Sequence, residues 1–141
     1  MKASLDHIHV YVSDQYEAAS WYEKVLGLKI LEDLEGWTAG GGPLTISGDG
    51  GSSGIALFAR PSEKSDNQST VAFGVSGDEF AEFIGRLPEL RLTDRRGGPV
   101  SADDISDHAK SWSVYFSDPY GNPIEVTTYD YDLVKEKLAL S

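Results

Sequence analysis

Ser117-Asp118-Pro119-Tyr120-Gly121-Asn122-Pro123-Ile124-Glu125-Val126 is the stretch that decides the fold. Its first half is a turn with a mechanism. Asp118 stands at the first position, Pro119 presets φ at the second, and Gly121 is free to take a positive φ. Its second half alternates, with Ile124 and Val126 on one face and Glu125, Thr127 and Tyr129 on the other, the pattern of a strand with one face on a core. Ser111–Ser117 reads as the partner strand before the turn, so 111–129 is a strand pair carrying one acid, Glu125.

A matching strand lies near the other end, in Leu5-Asp6-His7-Ile8-His9-Val10-Tyr11-Val12. Ile8, Val10 and Val12 face one way; His7, His9 and Tyr11 face the other. Asp14 and Glu17 then form a capping signal, Ala18, Trp21, Tyr22, Val25 and Leu26 recur at helical spacing, and Gly27 closes the helix. Leu28–Leu34, Trp37–Thr38 and Gly54–Ala59 read as strands, separated by glycine-rich loops at 39–42 and 48–54. The pattern restarts after a polar segment. Val71, Phe73 and Val75 alternate with Thr70, Ala72 and Gly74. Ser76-Gly77-Asp78 opens a second amphipathic helix that presents Phe80, Phe83, Ile84 and Leu87 and ends at Pro88. Strand-like pieces follow at Leu90–Thr93 and Pro99–Val100. Placing His7 over Thr70 aligns Val12 with Val75, Ser13 with Ser76 and Ala18 with Ala81, so the chain reads βαβββ twice. The expected organisation is one domain, 1–141, made of module one at 4–60, a linker at 61–68, module two at 69–130 and a C-terminal helix at 131–141.

Composition narrows the chemistry. The chain has 141 residues and no cysteine, which excludes disulfides, thiolate metal sites and cysteine nucleophiles. Its net charge of -11 opposes nucleic acid and anionic membrane surfaces as partners. No run approaches a membrane span, and Met1-Lys2-Ala3-Ser4 leads into a strand pattern without an apolar signal region, so a cytoplasmic protein is expected.

The two modules, with His7 in the first strand and Asp118-Pro119-Tyr120-Gly121-Asn122-Pro123-Ile124-Glu125 near the end, resemble the vicinal oxygen chelate superfamily. That group includes glyoxalase I, methylmalonyl-CoA epimerase, fosfomycin-resistance enzymes, extradiol dioxygenases and bleomycin-binding proteins. The resemblance covers nearly the whole chain. It implies an α+β fold in which two βαβββ modules form a curved eight-stranded sheet around a central cavity, with the helices outside. It also implies metal ligands at four strand positions, which fall on His7, Ala56, Thr70 and Glu125. The first and last match; alanine cannot ligate and threonine is a poor ligand.

Three functions follow as expectations. The first is a small-molecule-binding protein with an incomplete metal site, taking an organic ligand against His9, Tyr11, Phe58, Thr70, Tyr115 and Thr127. The second is a lyase, isomerase or dioxygenase that uses a divalent Fe, Mn, Zn or Ni ion on His7 and Glu125, with His9, His108 or a partner chain in a dimer as the candidate source of a third ligand. The third is a metal-free enzyme with Glu125 as general base. The departures at Ala56 and Thr70 tip the cofactor expectation toward none. Trp37 and Trp112 are candidates to stack on a flat substrate or to sit in the core. The glycine-rich loops lack the Lys and the strand-to-helix context of a phosphate cradle. Asp94-Arg95-Arg96 reads as a charged turn that could hold an anion. The resemblance and the apolar positions Leu133 and Leu138 suggest a homodimer.

Overall fold

The structure, a computed structural model, describes residues 1–60 and 67–141. Contacts divide the chain into two compact units, Met1–Ser65 and Asp66–Ser141. The expected linker at 61–68 lies, except for Gln68 and Asn67, outside the described residues.

Unit one runs β1 (His7–Val12), α1 (Gln15–Leu26), β2 (Lys29–Ile30), a 3-10 helix (Glu32–Gly40), β3 (Leu44–Ser47) and β4 (Gly54–Ala59). Its sheet has the order β1-β4-β3-β2, with β1 and β4 parallel and the other neighbours antiparallel. The ends of α1 are written in the sequence. The Asp14 side chain accepts from the Glu17 N–H, and Gly27 closes the helix at φ 70°. Val10, Val12, Ala18, Tyr22, Val25, Leu44, Ile46 and Leu57 are buried together in this unit's core, where a fully buried Leu or Ile contributes about 2 kcal/mol.

Unit two repeats the order: β5 (Val71–Gly74), α2 (Gly77–Leu90), β6 (Ser106–Asp107), β7 (Trp112–Ser117), β8 (Pro123–Thr128) and α3 (Tyr131–Lys137). Its sheet order, β5-β8-β7-β6, has the same parallel and antiparallel pairing. The eight strands thus hydrogen-bond as two four-stranded mixed sheets, each with helices, in an α+β fold. Ser76 and Glu79 form a full capping box on α2, and Phe80, Phe83, Ile84 and Leu87 are buried as the periodicity requires.

The β7–β8 turn is built as its residues demand. Gly121 has φ 88° and its N–H donates to the Asp118 carbonyl at 3.1 Å. Asp118 Oδ1 accepts from the N–H groups of Tyr120 and Asn122 at 2.9 and 2.8 Å, and Asn122 Nδ2 donates to Asp118 Oδ2 at 2.8 Å. Both side chains are buried, so this network satisfies polar groups that would otherwise cost about 1–3 kcal/mol each.

Four expectations need correction. Leu28–Leu34 and Trp37–Thr38 are not two strands: only Lys29–Ile30 is extended, and Glu32–Gly40 is a 3-10 helix. Leu31, Leu34 and Trp37 recur every three residues, which is the 3-10 period, and Glu32, Asp33 and Glu35 sit at the helix start where the dipole favours acids. The strand that completes unit one is β3, four residues that are all buried. Leu90 is the last residue of α2, and Thr93 makes only isolated bridges, to Pro99 and to Ser117. Pro88 lies inside α2 rather than at its end, and Arg91 closes the helix in a left-handed conformation.

Candidate functional site

The pairing registers fix which side chains share a face. In unit one His7 pairs with Gly54, His9 with Ala56 and Tyr11 with Phe58. In unit two Ala72 pairs with Glu125 and Gly74 with Thr127. With His7 aligned on Thr70, His9 corresponds to Ala72, so Ala56 occupies in the first sheet the place that Glu125 occupies in the second.

The open face of the first sheet carries a continuous column. Asp6 Oδ2 meets His7 Nδ1 at 2.6 Å, and His7 Nε2 lies 3.2 Å from His9 Nε2. The His9 ring packs on Phe58 with centroids 4.6 Å apart, and Phe58 meets Tyr11 at 6.0 Å. Arg60 caps the column, its guanidinium carbon 3.9 Å from the Tyr11 ring centroid. His7, His9, Tyr11 and Phe58 are therefore brought together in unit one. Asp6 and Arg60 join them, and neither was singled out by alternation because one precedes the strand and the other follows it.

The second sheet gathers the remaining candidates. Ser113 Oγ donates to Glu125 Oε1 at 2.7 Å and lies 2.9 Å from Thr127 Oγ1, which in turn reaches the Trp112 carbonyl at 3.3 Å. Tyr115 pairs directly opposite Glu125, and His108 Nε2 lies 2.9 Å from the Tyr115 hydroxyl. Burial, and then the Glu125 carboxylate beside it, raise the Tyr115 phenol above its ordinary range. It stays protonated near neutrality and is available as a donor. The signal for Ser113 was present in the sequence: it lies two residues before Tyr115 and so shares its face.

Thr70 and Tyr115 also line a cavity of about 380 Å³ together with Asp94, Arg95, Arg96 and Pro123. The turn that brings the two arginines there is built by Asp94, whose Oδ1 accepts from the N–H groups of Arg96 and Gly98 at 2.8 and 2.9 Å. Arg95 is steadied by Gln68, donating to its side chain at 3.1 Å and to its carbonyl at 3.3 Å.

Other candidates take structural places. Trp112 is buried; its ring stacks on Tyr131 at 4.8 Å and its Nε1 donates to the Tyr131 carbonyl at 2.9 Å. Trp37 is exposed on the 3-10 helix. The Gly48–Gly54 loop turns its donors inward. Ser53 donates to Asp49 through both its N–H and its hydroxyl at 3.0 Å, and Gly51 N–H donates to Ser47 Oγ at 3.1 Å. The Ser53 N–H, followed by the Ser47 and Ser53 hydroxyls, holds the Asp49 carboxyl down at about 2. These donors serve a carboxylate of the chain itself rather than a phosphate.

Comparison with known proteins agrees with this construction. The family model described as Glyoxalase/Bleomycin resistance protein/Dioxygenase superfamily matches residues 4–126. A curated relative, metallothiol transferase FosB of Staphylococcus epidermidis, is 31% identical over 129 residues, covering 89% of this chain and 81% of the relative. Among solved structures, Oxidase ChaP-H2 superposes with a TM-score of 0.69 at 24% identity, covering 91% of this chain and 94% of the other. A variant of the fosfomycin resistance protein FosX from Listeria monocytogenes, complexed with Mn(II) and 1S,2S-dihydroxypropylphosphonic acid, has a TM-score of 0.65 at 15% identity, covering 98% and 99%. The chain belongs to the Glyoxalase/Bleomycin resistance protein/Dioxygenase superfamily.

The four-position metal set that the resemblance implies does not fit this chain. Ala56 offers a methyl group and Thr70 a neutral hydroxyl, and among the described residues no group of three His, Asp or Glu side chains could hold an ion.

Proposed function

We propose that the protein binds a small organic molecule carrying an anionic group, seated in the unit-two cavity against Thr70, Tyr115, Arg95 and Arg96. One observation carries this: Arg95 and Arg96, adjacent in sequence, both line a cavity of about 380 Å³, together with Asp94, in a chain whose net charge is -11. Guanidinium forks match carboxylate and phosphonate geometry. The ion pairs among the described residues, Asp6–His7 and Asp78–Lys137, leave both groups uncommitted to a carboxylate. The cavity volume falls in the range of small-molecule sites, about 300–1,000 Å³. The phosphonic acid bound by FosX is an anion of the class expected.

A second reading adds turnover, and the cross-strand placement of Glu125 and Tyr115 favours it. Glu125 would take a proton from a carbon beside a carbonyl of the ligand, and Tyr115, held protonated, would give its proton to the carbonyl oxygen as the enol forms. Thr127 supports Glu125 through Ser113.

Calorimetric titration with simple phosphonates and aromatic carboxylates tests the proposal. Binding of at least one anion is expected, weakened about ten- to a hundredfold in Arg95→Ala or Arg96→Ala, the loss of one charged hydrogen bond. Equal affinity in both variants would remove the cavity from consideration. Retained binding with lost turnover in Glu125→Gln would separate catalysis from binding.

A further inference from the structure

We infer that His108 is a positioning residue. Its Nε2 holds the Tyr115 hydroxyl, and the β6–β7 turn that carries it is pinned to α3 through Asp107 and Tyr131, so that Tyr115 stands ready as a wall of the anion cavity. The inference rests on the reading of that cavity as the ligand site, and it adds a residue that does not itself line it.

The contact is longer in reach than strand pairing alone would give. The His108 N–H donates to the Ser111 carbonyl at 3.0 Å, which places His108 beside Ser111. That is the end of β7 away from the Ser117–Pro123 pair. Tyr115 lies further along β7, beyond Ser113. Even so, His108 Nε2 is 2.9 Å from the Tyr115 hydroxyl, and the imidazole stands edge-on to the phenol at 84°. The two side chains reach toward each other along the face they share with Ser113, which has no solvent exposure. The Tyr115 hydroxyl thus has a partner on each side of β7, the Glu125 carboxylate from β8 and His108 from the β6 side. A phenol ring that is 40% exposed needs such ties to stay in one rotamer.

His108 is itself placed by a built turn. Asp107 and Trp112 are cross-strand partners, and both hold Tyr131, the first residue of α3. The Tyr131 hydroxyl donates to Asp107 Oδ1 and Oδ2 at 2.9 and 2.8 Å. The Trp112 ring stacks on Tyr131 with an interplanar angle of 8°, and its Nε1 donates to the Tyr131 carbonyl. Asp107 Oδ1 also accepts the Ala109 N–H at 2.8 Å. Ala109 has φ 68°, a left-handed conformation that alanine keeps only where its surroundings hold it. The Asp107 carboxylate therefore fixes the turn on the residue next to His108 and ties the turn to α3 in the same contact.

Pre-organisation gives this chain of contacts a consequence for the ligand. A side chain that must be ordered on binding weakens affinity about two- to tenfold. His108 orders Tyr115 before any ligand arrives.

The test reads Tyr115 directly, by nuclear magnetic resonance of protein isotopically labelled at the tyrosine Cζ carbon, with the Tyr115 signal assigned through Tyr115→Phe. His108→Ala should shift that signal. His108→Gln, whose amide nitrogen takes the place of Nε2, should keep it near the parent's position. Affinity for methylphosphonate should fall about two- to tenfold in His108→Ala and be restored in His108→Gln. It should also fall in Tyr131→Phe, which removes the hydroxyl on Asp107 and keeps the stacked ring. Arg95→Ala should lower the affinity without moving the Tyr115 signal. His108 is exposed, and circular dichroism confirms that each variant is folded. An unmoved Tyr115 signal in folded His108→Ala overturns the inference, and so does an unchanged methylphosphonate affinity in that variant. A parent that binds no anion while its Tyr115 signal responds to His108→Ala supports the positioning of Tyr115 and overturns the cavity reading.

Discussion

Glu125 owes its position to a residue that carries no charge. Ser113 has no solvent exposure, and its hydroxyl is the donor that ties Glu125 to Thr127 across β7 and β8. Ser113→Ala removes the donor to the Glu125 carboxylate and one of the hydrogen bonds of the buried Thr127 hydroxyl, which keeps the Trp112 carbonyl. The expected loss is about 1–3 kcal/mol by urea denaturation. Tyr115→Phe, at a position 40% exposed, should change stability by less than about 1 kcal/mol. A neutral Ser113→Ala would mean that solvent supplies the missing donor and that Ser113 does not set Glu125. The same contrast shows what was legible in the sequence. Period-two alternation put His7, His9 and Tyr11 on one strand face, and Glu125 with Thr127 on another, because strand geometry is local. It passed over Asp6, which precedes the strand, and it could not place the Asp94-Arg95-Arg96 turn, which charge alone marked as able to hold an anion, because its role depends on where the turn lands in space.

The start of α2 depends on an element 53 residues away in sequence. Asp130, the residue before α3, accepts the Gly77 N–H at 2.6 Å. Gly77 is buried, and a Cβ there would meet Asp130 Cβ and Leu133 Cδ2, each at 2.8 Å. Helix propensity alone gives Gly77→Ala a gain of up to about 1 kcal/mol. The close approach reverses the sign. Thermal denaturation should show Gly77→Ala destabilised by about 1–3 kcal/mol, the usual range for overpacking. Gly85→Ala, in the same helix with nothing within 4 Å of its Cβ, should be neutral or stabilising. Packing of this kind is invisible to propensity. It is also why β3 escaped a reading by composition: four residues between glycine-rich loops become a strand only when β2 and β4 flank them. The α1 and α2 boundaries were legible because their caps, Asp14, Gly27 and Ser76, act within one turn.

At the scale of the whole molecule, 23 acidic side chains against 12 basic ones set the anion cavity in a negative field. That field repels an anion approaching Arg95 and Arg96. The screening length is about 30 Å at 0.01 M salt and about 10 Å at 0.1 M, so added salt removes the long-range part first and leaves close contacts largely intact. Between about 10 and 150 mM salt, the association rate of a phosphonate probe should therefore rise about two- to fivefold. Stopped-flow fluorescence reads this rate. An anion association rate that falls steadily over this range would mean that the local guanidinium pair, not the net charge, governs approach. In that case Arg95→Ala should flatten the salt dependence. If Arg95→Ala leaves it unchanged, the anion enters by a path that the cavity does not define.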